Sequence, residues 1–209
     1  MFYTNEMNIS IRQEEKKDFR TIEELTREAF WDLYKPGCDE HLVVHNMRNV
    51  PAFVKELDFV VCDDDKIVGY IMYSKAKIIN DENKEFEVLC MWPLAVLPTY
   101  QKQGIGSLLM KYSMEQARQL GYKAIIIFGD PNYYHRFGFV DAKQYNIQTS
   151  DGANFDAFMA LELWENSLSS ISGKFYADKV FETDEKELEE FEKGFSYKEK
   201  HITDTQLKL

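Results

Sequence analysis

The feature that most constrains this chain is a glycine-rich turn between a strand pattern and a helix pattern. The apolar run at 94–97 is typical of a buried strand and stops at Pro98, which cannot donate to a ladder. Gly104 and Gly106 then open a helical pattern that Gly121 closes as a C-terminal cap. Such a turn leaves unpaired amides at the positive end of a helix. The sequence therefore predicts an anion site, most naturally for phosphate.

Two common phosphate motifs do not fit this turn. The Walker pattern requires a lysine and Ser/Thr directly after the second of two glycines five apart, and neither the spacing nor the lysine is present. The dinucleotide fingerprint requires a third small residue where Leu109 stands. Gln101, Gly104 and Gly106 instead give Q-x-x-G-x-G after a strand at 93–97. This pattern resembles the acetyl-CoA signature of the GNAT superfamily of N-acetyltransferases.

A second motif follows one strand later. Residues 123–128 form a β-branched and aromatic run, as expected of a parallel strand buried on both faces, so strand, helix and strand make one βαβ unit. Residues 129–139 then read G-D-P-N-Y-Y-H-R-F-G-F. They resemble the G-D-P-x-Y-Y-x-R-F-G-F stretch of a bacterial branch of predicted GNAT acetyltransferases. The resemblance extends over residues 7–165, with the first half matched only in outline.

Composition narrows the class of protein. The chain has 209 residues, 44% hydrophobic and 29% charged, which suits one globular domain or a domain plus an extension. No apolar run approaches the roughly 20 residues that span a bilayer, and no basic-then-apolar leader precedes the first strand, so we expect a cytoplasmic protein without a membrane partner. The formal net charge of −11 argues against a nucleic-acid partner.

Cysteines and histidines show no metal or disulfide pattern. Cys38, Cys62 and Cys90 are odd in number, far apart and without paired-ligand spacing, so we take them as reduced thiols. His41 and His45 stand four apart on one helical face and could in principle bind a metal. They lack the adjacent glutamate of a metalloprotease helix and a nearby third ligand. A pair that lines a cleft or is solvated is the better interpretation, and we predict no metal.

The periodicity predicts an α/β (α+β) fold, and the resemblance implies the GNAT acyl-CoA N-acyltransferase fold. Its mixed central sheet joins an antiparallel meander to the parallel βαβ unit, with flanking helices. Predicted helices cover 14–31 and 39–49, with Asp39 as the cap of the second. Predicted strands are 7–12, 57–62, 67–74, 86–96, 123–128 and 155–163. In the GNAT fold the first two helices border the acceptor cleft.

The end of the chain gives weaker signals. We expect a GNAT domain over 1–165 and an extension over 166–209 that packs on it, with a strand at 173–181 and an acidic helix at 184–195. An apolar stripe on that helix, at Leu188, Phe191 and Phe195, could alternatively support partner binding or a homodimer. The polar tail from 198 is predicted to be frayed.

Several residues are expected to hold the co-substrate. Pro93 lies inside a strand and removes a ladder donor, which predicts a bulge or local break. In GNAT enzymes a bulge there frees backbone groups for the pantetheine arm, although an edge-strand proline without a role is an open alternative. The resemblance thus implies an acetyl-CoA site made by Leu94, Ala95, Val96, Gln101, Lys102, Gln103, Gly104, Ile105, Gly106, Ser107, Asn132 and Tyr133.

Acetyl transfer requires a neutral amine. A lysine-like amine has a pKa near 10.4, about 3.4 units above pH 7, so deprotonation costs roughly 4.6 kcal/mol and calls for a base or a water path to one. Glu85 and Glu87 on the meander strand, with Glu28 on the first helix as an outsider, are the candidates, and we select Glu87. For each, a solvated surface carboxylate is the simpler interpretation.

The acid side is better defined. In GNAT enzymes a tyrosine five residues before the Phe of the final G-F commonly faces the CoA sulfur, and Tyr134 stands five before Phe139. Proton transfer from a phenol near pKa 10 to a thiolate near 8.5 runs uphill by about 2 kcal/mol, so hydrogen-bond stabilisation is expected instead. Alternatively, Tyr133 and Tyr134 both serve only as packing aromatics.

Two functions remain open from the sequence. The first is an acetyl-CoA-dependent N-acetyltransferase that acts on a small-molecule or peptide amine by direct attack in a ternary complex. The second is a non-catalytic acyl-CoA sensor that reports through partner contacts. Tyr134 favours the first, and the lack of a convincing base keeps the second open.

Overall fold

The computed structural model describes residues 7–204 and 206, and within them nine strands form one sheet. The strands are β1 Ile9–Gln13, β2 Phe59–Asp63, β3 Lys66–Ile79, β4 Glu85–Val96, β5 Ala124–Phe128, β6 Val140–Asp141, β7 Ile147–Thr149, β8 Phe158–Glu162 and β9 Gly173–Tyr176. The helices are α1 Phe19–Phe30, α2 Glu40–Met47, α3 Ile105–Gln119, α4 Pro131–Tyr134 and α5 Glu185–Glu192.

The sheet is mixed, which confirms the predicted fold class. Its order is β1-β2-β3-β4-β5-β8-β6, with β9 paired to β3 and to β7. Strands β1 to β4 form the antiparallel meander, and β5 then lies parallel to β4 after the crossover through α3. The β4–β5 pairing contains only Leu89 with Ile125 and Cys90 with Ile126. Beyond that point the two strands separate, and the edge of β4 that faces β5 has no strand partner among the described residues.

Two helical layers cover the sheet because β3 is apolar on both faces. Tyr70 and Met72 pack into the core beneath α1 and α2, which includes Ile22 and Val44. Ile71 and Tyr73 point the other way, into the core beneath α3. A buried hydrogen bond of 2.7 Å joins the Tyr73 hydroxyl to Ser113 on α3. Alternation along one central strand therefore fixes which helices lie on which side.

The bulge predicted at Pro93 is present. Along β3 the pairing advances two residues, from Tyr73 to Ile71, while along β4 it advances three, from Met91 to Leu94. The extra residue lies at the Trp92–Pro93 step, where proline has no amide to donate. β4 is irregular immediately before it separates from β5.

The predicted start of the first helix and the predicted cap of the second differ from the structure. α1 begins at Phe19, after a 3₁₀ turn at Lys16–Asp18, and not at residue 14. Asp39 occupies the cap position of α2, but its side chain makes no capping hydrogen bond. Its carboxylate instead accepts a hydrogen bond of 2.6 Å from Thr183 and pairs with Lys35. The Asp39 carboxylate, which the local sequence pattern predicted to cap the helix, is therefore used in a tertiary contact.

The extension adds one strand to the sheet. β9 pairs with β3, and it ends at Tyr176, well short of the predicted residue 181. α5 follows, capped by the Asp184 carboxylate, which accepts hydrogen bonds from the amides of Lys186 and Glu187. Phe191 and Phe195 of the predicted stripe pack against His41 of α2, so the domain itself covers them.

The prediction of a frayed tail is wrong through residue 204. The C-terminal arm, residues 195–204, runs back along the end of α1. The indole N–H of Trp31 donates a hydrogen bond of 2.9 Å to the Glu199 carbonyl oxygen, and Lys198 pairs with Glu28 at 2.7 Å. His201 lies 3.0 Å from Asp32. Polar residues without periodicity are ordered here because α1 offers partners of opposite charge.

Candidate active site

The glycine turn, residues 101–107, joins β4 to α3. Gly104 has φ of +91°, a left-handed conformation that favours glycine, and a side chain added there would meet nothing within 4 Å. The first backbone bond of α3 runs from the amide of Leu108 to the Gly104 carbonyl oxygen. The amides of Ile105, Gly106 and Ser107 therefore have no acceptor within the helix.

Gly106 is needed for a different reason. A Cβ atom at this position would lie 2.5 Å from the Tyr133 hydroxyl oxygen, so only glycine lets that tyrosine approach the start of α3. Burial raises the pKa of Tyr133, and contacts with Arg136 and Ser107 oppose the rise. The Arg136 guanidinium carbon stands 4.0 Å from the Tyr133 ring centre. The two sequence motifs thus meet at one point in space.

A cleft of about 320 Å³ opens where β4 and β5 separate, and the glycine turn forms one end of it. The bulge in β4, the end of β5, the start of α4 and the last turn of α1 form its walls. The residues that line it are Ala29, Phe30, Leu33, Tyr34, Trp92, Leu94, Val96, Tyr100, Gln101, Lys102, Gly106, Phe128, Gly129, Asp130, Tyr133 and Tyr134.

Tyr134 lines the middle of this cleft. Its ring packs over Gly129, where a Cβ atom would lie 2.3 Å from Tyr134 Cε2, and its edge meets Phe139. Burial, followed by the nearby Tyr133 and Tyr34, raises the pKa of Tyr134 well above its ordinary value. The phenol is therefore protonated at neutral pH. Among the described residues, its hydroxyl has no hydrogen-bond partner.

Three aromatic rings at the end of α1 form what we call the aromatic wall: Phe30, Tyr34 and Trp92. The Phe30 and Trp92 ring centres are 5.2 Å apart, and those of Tyr34 and Trp92 are 6.3 Å apart. Asp130, which also lines the cleft, caps α4, and its Oδ1 accepts hydrogen bonds from the amide and the side chain of Asn132. Asp130 is the one carboxylate among the lining residues of the described structure.

The structure places the predicted co-substrate residues in two groups. Leu94, Val96, Gln101, Lys102, Gly106 and Tyr133 line the cleft. Ala95 and Ile105 are buried in the cores below it, and Ser107 lies beneath Tyr133. The Gln103 side chain donates to the Thr99 carbonyl oxygen, and the Gln101 side chain donates to that of Val96. These two glutamines brace the turn within the protein.

The predicted bases lie elsewhere. Glu87 is 3.5 Å from Lys75, with 57% of its side chain exposed, and Glu85 is 2.6 Å from Lys77. Both line a separate groove beside β9. Glu28 pairs with Lys198 of the arm. Because each carboxylate has a lysine partner outside the cleft, the geometry gives none of them contact with a reacting amine there.

The histidine pair supports the packing of α2. Burial lowers the pKa of His41 to about 4, and its Nε2 lies 2.7 Å from the Glu192 carboxylate of α5. His45 stands 2.9 Å from Glu23. No group of three or more potential ligands in the described part of the chain is placed to hold a metal ion. Cys38, Cys62 and Cys90 are buried free thiols.

Sequence reasoning missed the aromatic wall and Asp130. Trp92 was overlooked because the bulge, and not the strand pattern, turns its ring toward α1. Tyr34 follows the predicted helix in an unpatterned loop. Asp130 lies inside the second motif, next to Pro131, but only the fold shows that it lines the same cleft as the end of α1. None of the described helices combines the length and the hydrophobicity that crossing a membrane requires.

Comparison with known proteins adds independent information. The model of the acetyltransferase (GNAT) family matches residues 11–139, more than half of the chain. The chain is also 28% identical over 164 residues to the uncharacterized N-acetyltransferase YhbS of Escherichia coli K12, covering 78% of this chain and 92% of that protein.

Two solved structures are similar in fold. The crystal structure of Escherichia coli YhbS in complex with CoA superposes with a TM-score of 0.76 at 25% identity, covering 88% of this chain and 97% of that one. A GNAT family acetyltransferase from Brucella melitensis in complex with acetyl-CoA gives a TM-score of 0.66 at 24% identity, over 84% of this chain and 99% of that one. The similarity covers nearly the whole length of both relatives.

Proposed function

The chain belongs to the acetyltransferase (GNAT) family, as the glycine turn suggested, and from that membership we propose that it transfers acetyl from acetyl-CoA directly to an amine in a ternary complex. One observation carries this proposal. Gly106, which carries one of the free amides at the start of α3, and Tyr134 line the same cleft, which opens where β4 leaves β5.

The residues present fit acetyl-CoA. The free amides at Ile105, Gly106 and Ser107 suit a diphosphate, since the helix start supplies about half a positive charge as well as donors. Lys102, which lines the same end, adds a full positive charge. Within the described structure, the edge of β4 at Leu94 and Ala95 has no strand partner on the β5 side, and its backbone suits an extended amide-containing arm. CoA and acetyl-CoA are the molecules bound in the two similar structures.

Acetyl-CoA supplies an acetyl thioester. The amine nitrogen attacks the thioester carbonyl, the C–S bond breaks and the thiolate departs. The nitrogen passes a proton to water, and the thiolate takes one up to give the free thiol of CoA. Most of the rate enhancement is expected from holding the two reactants in contact, since this can supply roughly 7–11 kcal/mol of the barrier. The glycine turn fixes one end of the co-substrate, and the β4 edge aligns the other.

Tyr134 is positioned to stabilise the leaving thiolate. Because burial raises its pKa, the phenol does not readily transfer its proton to the thiolate. It stays protonated and can donate a hydrogen bond instead. A donor in a partly dry cleft stabilises charge as it develops on sulfur, without rearrangement at the moment of reaction. The unpartnered hydroxyl is available for this contact.

Thiol release tests the proposed function. Purified protein with acetyl-CoA is offered a panel of primary amines, and free thiol is measured while calorimetry measures CoA binding. Amine-dependent thiol release that follows the amount of N-acetylated product is the expected result. Tight CoA binding without release for any amine would instead favour the non-catalytic sensor. Failure to bind CoA would contradict both functions.

A further inference from the structure

We propose that the outer part of the cleft is an acceptor subsite for a small primary amine carried on an apolar, aromatic group. The inference rests on the proposed acetyl transfer and specifies the substrate class for that site. It depends on the aromatic wall, on Asp130 and on the charges around them.

The aromatic wall presents ring surface to the cleft. Phe30 is nearly buried at 6% exposure, whereas Tyr34 is 40% exposed, so the wall is anchored at one end and open at the other. Phe128 lines the cleft from the β5 side and stacks on Phe158 with ring centres 5.0 Å apart. An apolar ring between these surfaces would bury aromatic area on two sides and gain from tilted ring contacts.

The charge distribution specifies an ammonium group. Lys102 is the one cation among the lining residues of the described structure, and it belongs to the glycine turn at the other end. Asp130 stands beside the wall, and its Oδ2 has no hydrogen-bond partner in the described part of the chain. Burial raises the pKa of Tyr34, with further contributions from the negative charges of Glu40 and Asp130. A protonated amine is attracted by this field and by the ring faces.

Asp130 also lies where the amine must react. Asp130, Tyr34 and Tyr134 all line the cleft, and the first two act electrostatically on Tyr134. An amine held at the free Oδ2 of Asp130 would therefore lie in the same cleft as Tyr134, the residue proposed to stabilise the leaving thiolate. The carboxylate also places a proton acceptor near the amine, a role that Glu87, paired with Lys75 in another groove, does not fill.

The size of the cleft favours a small molecule over a protein lysine. About 320 Å³ is at the lower end of small-ligand sites, and part of that volume belongs to the co-substrate. A lysine side chain is a bare alkyl ammonium and would leave the rings of the wall mostly unused. The occupant that uses both the carboxylate and the rings is a short aryl-alkyl amine.

The test compares 2-phenylethylamine with Nα-acetyl-lysinamide, a mimic of a protein lysine. We expect kcat/KM for 2-phenylethylamine to exceed that for the lysine mimic by about 10-fold. Tyr34→Ala should remove this preference by raising KM for 2-phenylethylamine about 10-fold, with KM for acetyl-CoA unchanged. Tyr197→Ala, at a tyrosine that is 91% exposed, is the matched control and should change neither value.

A second pair of variants tests the carboxylate. Asp130→Asn keeps the oxygen that caps α4 but removes the charge, and KM should rise for both amines. Asp178→Asn is its control, because Asp178 likewise caps a short helical turn by accepting a hydrogen bond of 2.9 Å from Val180, outside the cleft. Equal effects of the two substitutions would show that Asp130 is only a cap and would overturn its assigned role.

Saturation-transfer NMR with CoA separates the inference from the proposed function. Binding of 2-phenylethylamine to the wild type, lost in Tyr34→Ala, supports the subsite even if no acetyl group is transferred. Efficient acetylation with equal kcat/KM for the two amines, unchanged in Tyr34→Ala, overturns the inference and leaves the acetyltransferase intact. Neither binding nor turnover with 2-phenylethylamine also overturns it.

Discussion

The glycine turn and the aromatic wall face the same cleft, yet they are held by contacts of very different sequence separation. Within the turn, the side chain of Gln103 reaches a carbonyl four residues away and that of Gln101 reaches one five residues away. Beside the wall, Trp31 is held by Glu199, 168 residues away. The proposed co-substrate side is local in sequence, and the proposed acceptor side is assembled from distant segments.

This contrast teaches where each kind of specificity is encoded. If the turn binds a diphosphate as proposed, that binding depends on neighbouring residues and on two required glycines. The wall depends on α1, a bulge in β4 and an arm from the far end of the chain, so it can differ between relatives that share the turn. Substitutions in the two regions should accordingly affect different kinetic constants.

The largest effect is expected at the glycine turn. Gly106→Asp places a Cβ atom against the Tyr133 hydroxyl and a negative charge beside the phosphate amides. We expect CoA affinity, measured by calorimetry, to fall at least about 100-fold. Gln119→Asp is the control on the same helix, since 13 residues at about 1.5 Å each put that charge roughly 20 Å away, beyond the screening length. Retained affinity in Gly106→Asp would refute the anchor.

A smaller effect is expected at the junction of the two regions. Tyr134→Phe should lower kcat roughly 10- to 100-fold with CoA affinity little changed, because a donor to the developing thiolate is lost. Tyr112→Phe, on α3 outside the cleft, is the control. Unaltered turnover in Tyr134→Phe would assign Tyr134 to packing alone.

The pH profile sharpens the prediction for Tyr134. Its pKa is raised above the ordinary 10.0, so the protonated phenol is retained below pH 10 and would be lost only at higher pH. Activity should therefore rise with pH as the amine loses its proton, and Tyr134→Phe should keep this rise at a lower rate. A rise that disappears in the variant would contradict the donor role.

The smallest effect on catalysis is expected from the C-terminal arm. Removing residues 198–209 deletes the partners of Glu28, Trp31 and Asp32. Hydrogen exchange should become faster at 31–37 but not in the glycine turn, and KM should rise a few-fold for amines but not for acetyl-CoA. The control is Ile202→Ala, at a side chain that is 89% exposed. Equal acceleration of hydrogen exchange at 31–37 and in the glycine turn, with equal rises of KM for amines and acetyl-CoA, would contradict the distinction between the two regions.

The sequence predicted those features that depend on neighbouring residues. Three signals have local causes. A left-handed or closely approached backbone requires glycine, a proline disrupts a ladder at its own position, and apolar residues alternate along a single strand. These signals therefore gave the mixed sheet, the bulge and the turn before α3.

The features that failed depend on partners far away in the chain. Asp39 has a good cap sequence, but Thr183 takes its carboxylate. Glu87 has a suitable side chain on a suitable strand, yet it lies on a part of β4 outside the cleft, opposite Lys77 in the ladder and 3.5 Å from Lys75. The tail from 198 has no periodicity because single ion pairs with α1, and not a buried face, hold it in place. The residues around each of these side chains do not indicate which distant residue it will contact.

The position of the arm has a consequence for how relatives diverge. It contacts the outer side of α1, whereas the cleft opens on the inner side, and the residues that hold Trp31 and Asp32 belong to neither motif. Mutations there would leave the proposed diphosphate anchor undisturbed. Relatives could thus come to accept a different amine through substitutions at residues that contact neither acetyl-CoA nor the amine.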